Sequence, residues 1–351
     1  MSTERQDRGS DLPTREGEVR VFAPATIGNA ACGFDVFGIA LERPGDEIVA
    51  RRSRGPGVRI RTITGDEGRL PTESRLNSAS IAAAWILARH APGAGVELDI
   101  HKGLPLSSGM GGSAASAVGG ALATVHLLGL AVAREEVLQA VKHAEQATAG
   151  SPHLDNAAPC LLGGWTLVRS IDPVEVLRLP VPEGLAVALV HPDLEVNTGE
   201  ARAMLGTEVA LTDAVTQWGN TAAVVHGLHT SDLELIGRSL VDAVAEPIRS
   251  RWVPGFRAVI AAAHTAGALG ASLSGSGPSL FALCADLDTA IRAGEAMVDA
   301  FEISGGVRAD AFVSRVAGQG ARVVGASGSP NGSSGRIERR GPAIPGAASE
   351  E

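Results

Sequence analysis

The 351-residue chain has almost no lysine: 28 of its 30 basic side chains are arginine, and lysine stands only at positions 102 and 142. Any chemistry that needs a lysine therefore has two candidates. Cysteine is equally sparse. Cys32, Cys160 and Cys284 stand far apart, without metal-ligand or redox spacing, so they read as reduced, mostly buried thiols of a cytoplasmic protein. No apolar run reaches membrane-spanning length without glycine or charge, and the charged start at residues 1–17 is not a signal peptide, so no membrane partner is expected. Positive charge is in deficit, with a formal net charge of −9, which argues against general nucleic-acid binding. A phosphate ligand must then be held by local donors rather than by a global field.

What the chain does have is bulk: its length and a hydrophobic content of 44% suffice for two domains with cores. Residues 1–17 and 325–351 are charged or rich in Gly, Ser, Pro and Arg, and are predicted to be disordered tails. Between them the patterning predicts strands at 19–23, 47–52, 96–101, 165–169, 186–191, 271–274 and 279–284. Helices are predicted at 77–90, 114–128, 134–148, 212–229, 231–245 and 255–266. Strands and helices mix throughout, which points to layered sheets and helices. A Pro-rich stretch at 173–182 places the domain boundary, giving units 18–180 and 181–324, with no internal repeat.

The densest signal is Pro105-Leu-Ser-Ser-Gly109-Met-Gly111-Gly112-Ser113-Ala-Ala-Ser116, a loop of small residues between a predicted strand and a predicted helix. Its glycines let backbone approach a ligand, and the unpaired N–H groups and dipole of the following helix favour an anion. It is no Walker loop, because no Gly-Lys-Ser/Thr follows the glycines. Gly109-x-Gly111-x-x-Ala114 also satisfies the degenerate dinucleotide fingerprint, but residues 105–108 lengthen the turn, and Glu135 and Glu136 open a helix where a strand-end carboxylate is expected. A plain glycine-rich connector is the remaining reading.

Further constellations carry polar groups in distinctive settings. Glu145 nears the end of a predicted helix, where the dipole disfavours a carboxylate; it is either a solvated surface group or a ligand for a hard cation. Asp155-Asn156 follows ten residues on, as a turn or cap or as a group that orients or deprotonates a hydroxyl. Asn29 and Asp35 are the polar residues of an otherwise apolar, Gly-rich bend, as turn formers or specificity contacts. The Ser/Gly run at 270–281 exceeds what a tight hairpin needs. Arg202 and Arg249 are surface cations or a grip on a carboxylate.

In order along residues 19–324 these motifs resemble the GHMP kinases. Residues 105–116 are similar to that family's phosphate motif Pro-x-x-x-Gly-Leu-Gly-Ser-Ser-Ala, residues 23–35 to its first motif, and Gly275-Ser-Gly277-Pro278 to its third. Gly150-Ser-x-His153-x-Asp155-Asn156-x-Ala-Pro159, Glu200-Ala-Arg202 and Glu246-Pro-x-Arg249 resemble the branch that phosphorylates the side-chain hydroxyl of L-homoserine, a step of threonine biosynthesis. The resemblance implies an α+β, two-domain fold, with an N-terminal ribosomal-protein-like ATP-binding domain and a C-terminal ferredoxin-like domain.

It also implies a division of labour. ATP would lie under Pro105, Leu106, Ser107, Ser108, Gly109, Met110, Gly111, Gly112, Ser113, Ala114 and Ala115, with Asn77 at the adenine. Ser113 and Glu145 would hold Mg²⁺, and Lys102 would neutralise phosphate charge. Asn29, Asp35, His153, Asn156, Arg202 and Arg249 would form the amino-acid pocket, with Asp155 at the hydroxyl. The chain departs from the family pattern at Gly112 and Met110, and at Ile27, Gly28, Ala30, Ala31 and Cys32 around Asn29. A mevalonate-type acceptor keeps the same fold, but Arg202 and Arg249 argue against it, since mevalonate has one carboxylate and no ammonium for Asp35. A dinucleotide-binding oxidoreductase is the reading from another class. The oligomeric state stays open, a homodimer included.

Overall fold

The computed structural model describes residues 17–150, 152–196, 198–324 and 336–337. The tails expected at 1–17 and 325–351 lie outside the described residues except for Gly17 and the pair 336–337. The first half runs β1 (Glu18–Gly28), β2 (Phe37–Arg52), β3 (Gly57–Thr64), α1 (Ser78–His90), β4 (Gly95–His101), α2 (Gly112–Leu128), α3 (Arg134–Ala149), α4 (Ala157–Leu162), β5 (Trp165–Ile171) and β6 (Val174–Leu179). The second half runs β7 (Ala186–Pro192), α5 (Thr198–Ala203), α6 (Leu211–Thr230), α7 (Leu233–Ser239), α8 (Glu246–Arg249), α9 (Phe256–Thr265), β8 (Gly270–Leu273), β9 (Leu280–Cys284), α10 (Leu287–Ala300), β10 (Ala309–Arg315), β11 (Arg322–Val323) and β12 (Arg336–Ile337).

Two sheets result. The first has the order β11-β1-β2-β4-β3, with β5 also on β2 and β6 on β5, and only its β3–β4 pair is parallel. The second is antiparallel, in the order β12-β10-β7-β9-β8. The change of sheet falls at residues 180–185, but β11 returns to pair Val21 with Val323, so the expected C-terminal unit ends inside the first sheet. β12 lies beside β10, so the tail predicted to be disordered contains at least one paired segment.

Several elements went unforeseen. β3 is an edge strand exposed along most of its length, and β6 fills the Pro-rich stretch read as a boundary. α10 and β10 complete the second layer. The helix expected over 231–245 stops at Ser239, because the Asp242 carboxylate accepts from the N–H groups of Val244, Ala245 and Glu246 and starts a new turn.

One continuous core joins the two sheets, running from Ile39 and Trp165 to Leu189 and Phe281. α2 is its axis. A side chain at Gly119 would strike Ile48, and one at Gly120 would strike the Ala79 carbonyl, so these glycines let α2 press on β2 and α1. All three cysteines are buried and unpaired, and burial pushes the Cys32 thiol up to about 12. No described helix is long and apolar enough to cross a membrane. Because backbone at Ala79 cannot yield as a side-chain tip can, Gly120→Val should lower stability by about 3 kcal/mol in urea unfolding.

Candidate active site

A cavity of about 760 Å³ opens where the loop after β4, the bend after β1, the segment before α4 and the turn between β8 and β9 meet. Backbone bonds lock these loops together. Thr26 N–H donates to the Met110 carbonyl (3.1 Å), Gly275 N–H to Gly28 (3.0 Å) and Ser279 N–H to Ser108 (3.2 Å). The Ser274 hydroxyl donates to the Gly109 carbonyl at 2.8 Å. Gly109 and Gly111 sit at φ 78° and 73°, and a Cβ on either would enter the neighbouring loop or the Thr26 hydroxyl, so both conformation and space demand glycine.

The turn delivers α2 with a bare N-terminus. Its first backbone bond runs from Ala115 N–H to the Gly111 carbonyl, and no side chain caps the N–H groups before it. Together with the dipole they form an anion cradle facing the cavity. Pro105 to Gly109 and Gly111 to Ala114 line the cavity. Met110 and Ala115, expected among the nucleotide contacts, are instead fully buried in the core behind the loop, because their side chains point to the sheet.

Lys102 differs most from expectation. Its side chain is 2% exposed and paired with Asp46, which is wholly buried. The same ammonium donates to the Gly112 carbonyl and the Ser116 hydroxyl, each at 3.0 Å, so its three protons are committed inside the protein. The other Asp46 oxygen accepts from Gly103 and Leu104 N–H at 3.0 and 3.2 Å. The pair therefore staples both ends of the loop and is not a free cation for phosphate. Asn77 is likewise engaged: it caps α1 by accepting from Ala79 N–H (3.1 Å) and donates to the Pro71 carbonyl (3.2 Å). It lines the cavity beside the wall of Leu70, Pro71 and Leu76.

Glu145 of α3 reaches back to α2, where the Ser113 hydroxyl donates to it at 2.7 Å. Burial pushes this carboxyl above its ordinary value, opposed by the Ser113 bond. A half-buried carboxylate that accepts from one hydroxyl, beside an anion cradle, makes with it a donor pair suited to a hard divalent cation completed by phosphate oxygens. No group of three or more His, Cys, Asp or Glu suited to a metal occurs among the described residues, so protein ligands alone do not close a site.

The opposite corner is charged and tightly ordered. Asp155 is buried, and burial together with the nearby Asp35 carboxylate raises its pKa to about 7. It accepts from Asn29 N–H at 3.1 Å and from the Asn156 amide at 3.3 Å, and the Asn156 oxygen accepts from Thr26 at 2.8 Å. Asn29, predicted to touch substrate, spends its amide on the loops, donating to Gly275 (2.8 Å) and accepting from Asp35 N–H (2.9 Å). Asp35, at φ 61°, holds Arg202 at 2.6 Å and lies 3.4 Å from His153. Burial lowers the His153 pKa, and its Nε2 is buried without a partner. Arg249 is 6% exposed; Nη1 donates to the Gly275 carbonyl at 3.3 Å, and Nε is buried without a partner. Both guanidinium groups lie beside the Phe34 ring.

The predicted acceptor residues are thus gathered into one cavity, while Thr26, Phe34, Asp46 and Ser116 were missed. Phe34 is flanked by Gly33 and Asp35 in the quoted bend, and Asn77 directly precedes a helical pattern, so its cap role had a sequence signal.

Known families match this geometry. Residues 78–164 match the GHMP kinases N terminal domain and residues 224–303 the GHMP kinases C terminal domain. A homoserine kinase of Chlorobium phaeovibrioides is 46% identical over 87% of this chain and 99% of its own, and one of Chlorobium phaeobacteroides is 45% identical over 86% and 98%. The crystal structure of homoserine kinase from Cytophaga hutchinsonii superposes with a TM-score of 0.85 at 45% identity, covering 90% of this chain and all of the other. The chain belongs to the GHMP kinases, and within them to the homoserine kinases. It is accordingly a two-domain phosphotransferase.

The staple makes a stability prediction. Asp46→Ala strands a buried ammonium and should cost about 3–5 kcal/mol in urea unfolding. Lys102→Met should cost less, because two N–H groups and the Ser116 hydroxyl still hold the Asp46 carboxylate.

Proposed function

We propose that the protein transfers the γ-phosphoryl group of ATP to the side-chain hydroxyl of L-homoserine, yielding O-phospho-L-homoserine for threonine biosynthesis. The observation that carries this is Arg249: a buried guanidinium whose Nε has no partner, set in the cavity corner beside Asp35 and Arg202. A buried cation with free donors is costly unless an anion completes it. The acceptor's carboxylate does so, bridging Arg249 and the outer edge of Arg202. Asp35 then receives the ammonium. An acceptor with carboxylate, ammonium and a primary hydroxyl satisfies every group in the corner.

ATP phosphates rest on the N–H groups opening α2, within the glycine turn. When bound, magnesium neutralises charge across the phosphates, and Ser113 and Glu145 would hold it. Asp155 accepts the hydroxyl proton on a carboxylate oxygen, and its pKa of about 7 suits a base that must be ionised yet basic at neutral pH. Asn156 and the Asn29 N–H fix its orientation. Most of the remaining rate comes from positioning and charge, as phosphoryl transfer asks little covalent work of the protein.

Arg249→Leu should raise KM for L-homoserine about 100-fold and leave KM for ATP unchanged in a coupled assay. Mevalonate, lacking the ammonium, should turn over orders of magnitude more slowly; equal turnover would overturn the substrate assignment.

Asp155 should also set the pH profile, with kcat rising as pH climbs through about 7. The folded carboxyl is a weaker acid than the ordinary 3.8, so the unfolded chain releases its proton first and the fold loses stability as pH rises from 3.8 to about 7. Asp155→Asn removes that loss. Its melting temperature at pH 8 should exceed the parent's, while kcat falls by about 10²- to 10⁴-fold.

A further inference from the structure

We propose that Phe34 is a positioning residue of the acceptor pocket, its ring holding the guanidinium groups of Arg202 and Arg249 while leaving their N–H edges free for a carboxylate. This rests on the homoserine reading of that pocket. The guanidinium carbons lie 5.1 and 5.3 Å from the ring centroid, inside the range of about 6 Å over which a ring face attracts a cation. The Asp35, Asp242 and Asp155 carboxylates draw Arg249 in through space, but none of them pairs with it directly. Asp35 binds only Arg202, and among the described residues Arg249 makes no ion pair. A second carboxylate would hold Arg249 more firmly, but it would consume the in-plane donors that an acceptor must find free. An aromatic face attracts the charge and takes none of those donors.

The backbone that carries the ring is fixed. The Cys32 carbonyl accepts from Gln217 (2.9 Å) and Thr221 (2.8 Å) of α6, and the Gly33 carbonyl accepts from Val36 and Phe37 N–H at 2.9 and 2.8 Å. Gln217 is tied in turn to Ala243 N–H at 2.8 Å. Phe34 also lines the apolar groove along α6 with Val36, Trp218 and Val225. It is therefore anchored by α6 on one side and meets the two arginines of α5 and α8 on the other. That is the arrangement expected of a spacer that sets the gap between two guanidinium groups.

The test compares L-homoserine with 3-aminopropan-1-ol, which keeps the ammonium and primary hydroxyl but lacks the carboxylate. Phe34→Leu keeps apolar bulk without the ring. It should lower kcat/KM for homoserine about tenfold, through KM, leave the efficiency on 3-aminopropan-1-ol unchanged, and be rescued by Phe34→Tyr. Equal loss on both acceptors, or no loss on either, would overturn the proposal. Urea unfolding of the unliganded protein reads the contact without any acceptor. The midpoint shifts of Phe34→Leu and Arg249→Met should sum to more than the shift of the double variant, and strict additivity would also defeat the idea. If the parent protein fails to phosphorylate homoserine, the substrate reading falls, and the urea cycle still decides the role of Phe34.

Discussion

The buried ion pair between Asp46 and Lys102 is the constraint on which the nucleotide end of the cavity depends. It lies under the phosphate turn, and it ties Gly103 and Leu104 at the start of that turn to Gly112 and Ser116 at its end. A loop this rich in glycine has many alternatives in solution, and its entropy must be overcome before it can present N–H groups to an anion. Five bonds to one carboxylate and its partner oppose that entropy. The pair is also neutral as a unit. The positive end of the turn is then the uncapped opening of α2 and not the lysine.

The acceptor end follows a different logic. Asp155 is held where ionisation is difficult, and Arg249 where its charge is incompletely matched. Both arrangements cost the protein stability. Stored discomfort of this kind is common where a site is organised ahead of its ligand. Asp35 offsets part of that cost by pairing with Arg202 and lying beside His153.

The two ends differ in how much the sequence discloses. Residues 105–116 are legible because the requirement for small residues at set spacings is local, and the structure places the turn at the head of α2. The dominance of Asp46 over Lys102 is not local: it joins residues 56 apart, and nothing near Asp46 distinguishes it from any other acid at a strand position. Carrying a phosphate role to Lys102 ignored the burial that only the assembled sheet creates. Asn29 shows the same limit, since a polar residue in an apolar bend has the profile of a ligand contact and of a loop brace alike. Asn77 also carries a cap, which an Asn at the head of an apolar helical run already favours. Edge strands such as β3 and β6, largely exposed, carry too little apolar alternation to stand out.

The return of β11 to β1 has a temporal side. β1 is the first described strand, yet Val21 and Phe22 wait for Val323 and Arg322, some three hundred residues later, before that stretch of the edge is paired. Most of the second sheet must be synthesised while the first still shows an unpaired flank. During translation the nascent chain therefore carries an open strand edge for nearly its whole length, the kind of surface that recruits neighbouring chains. Conditions that slow synthesis late in the chain would prolong that exposure without touching the finished enzyme.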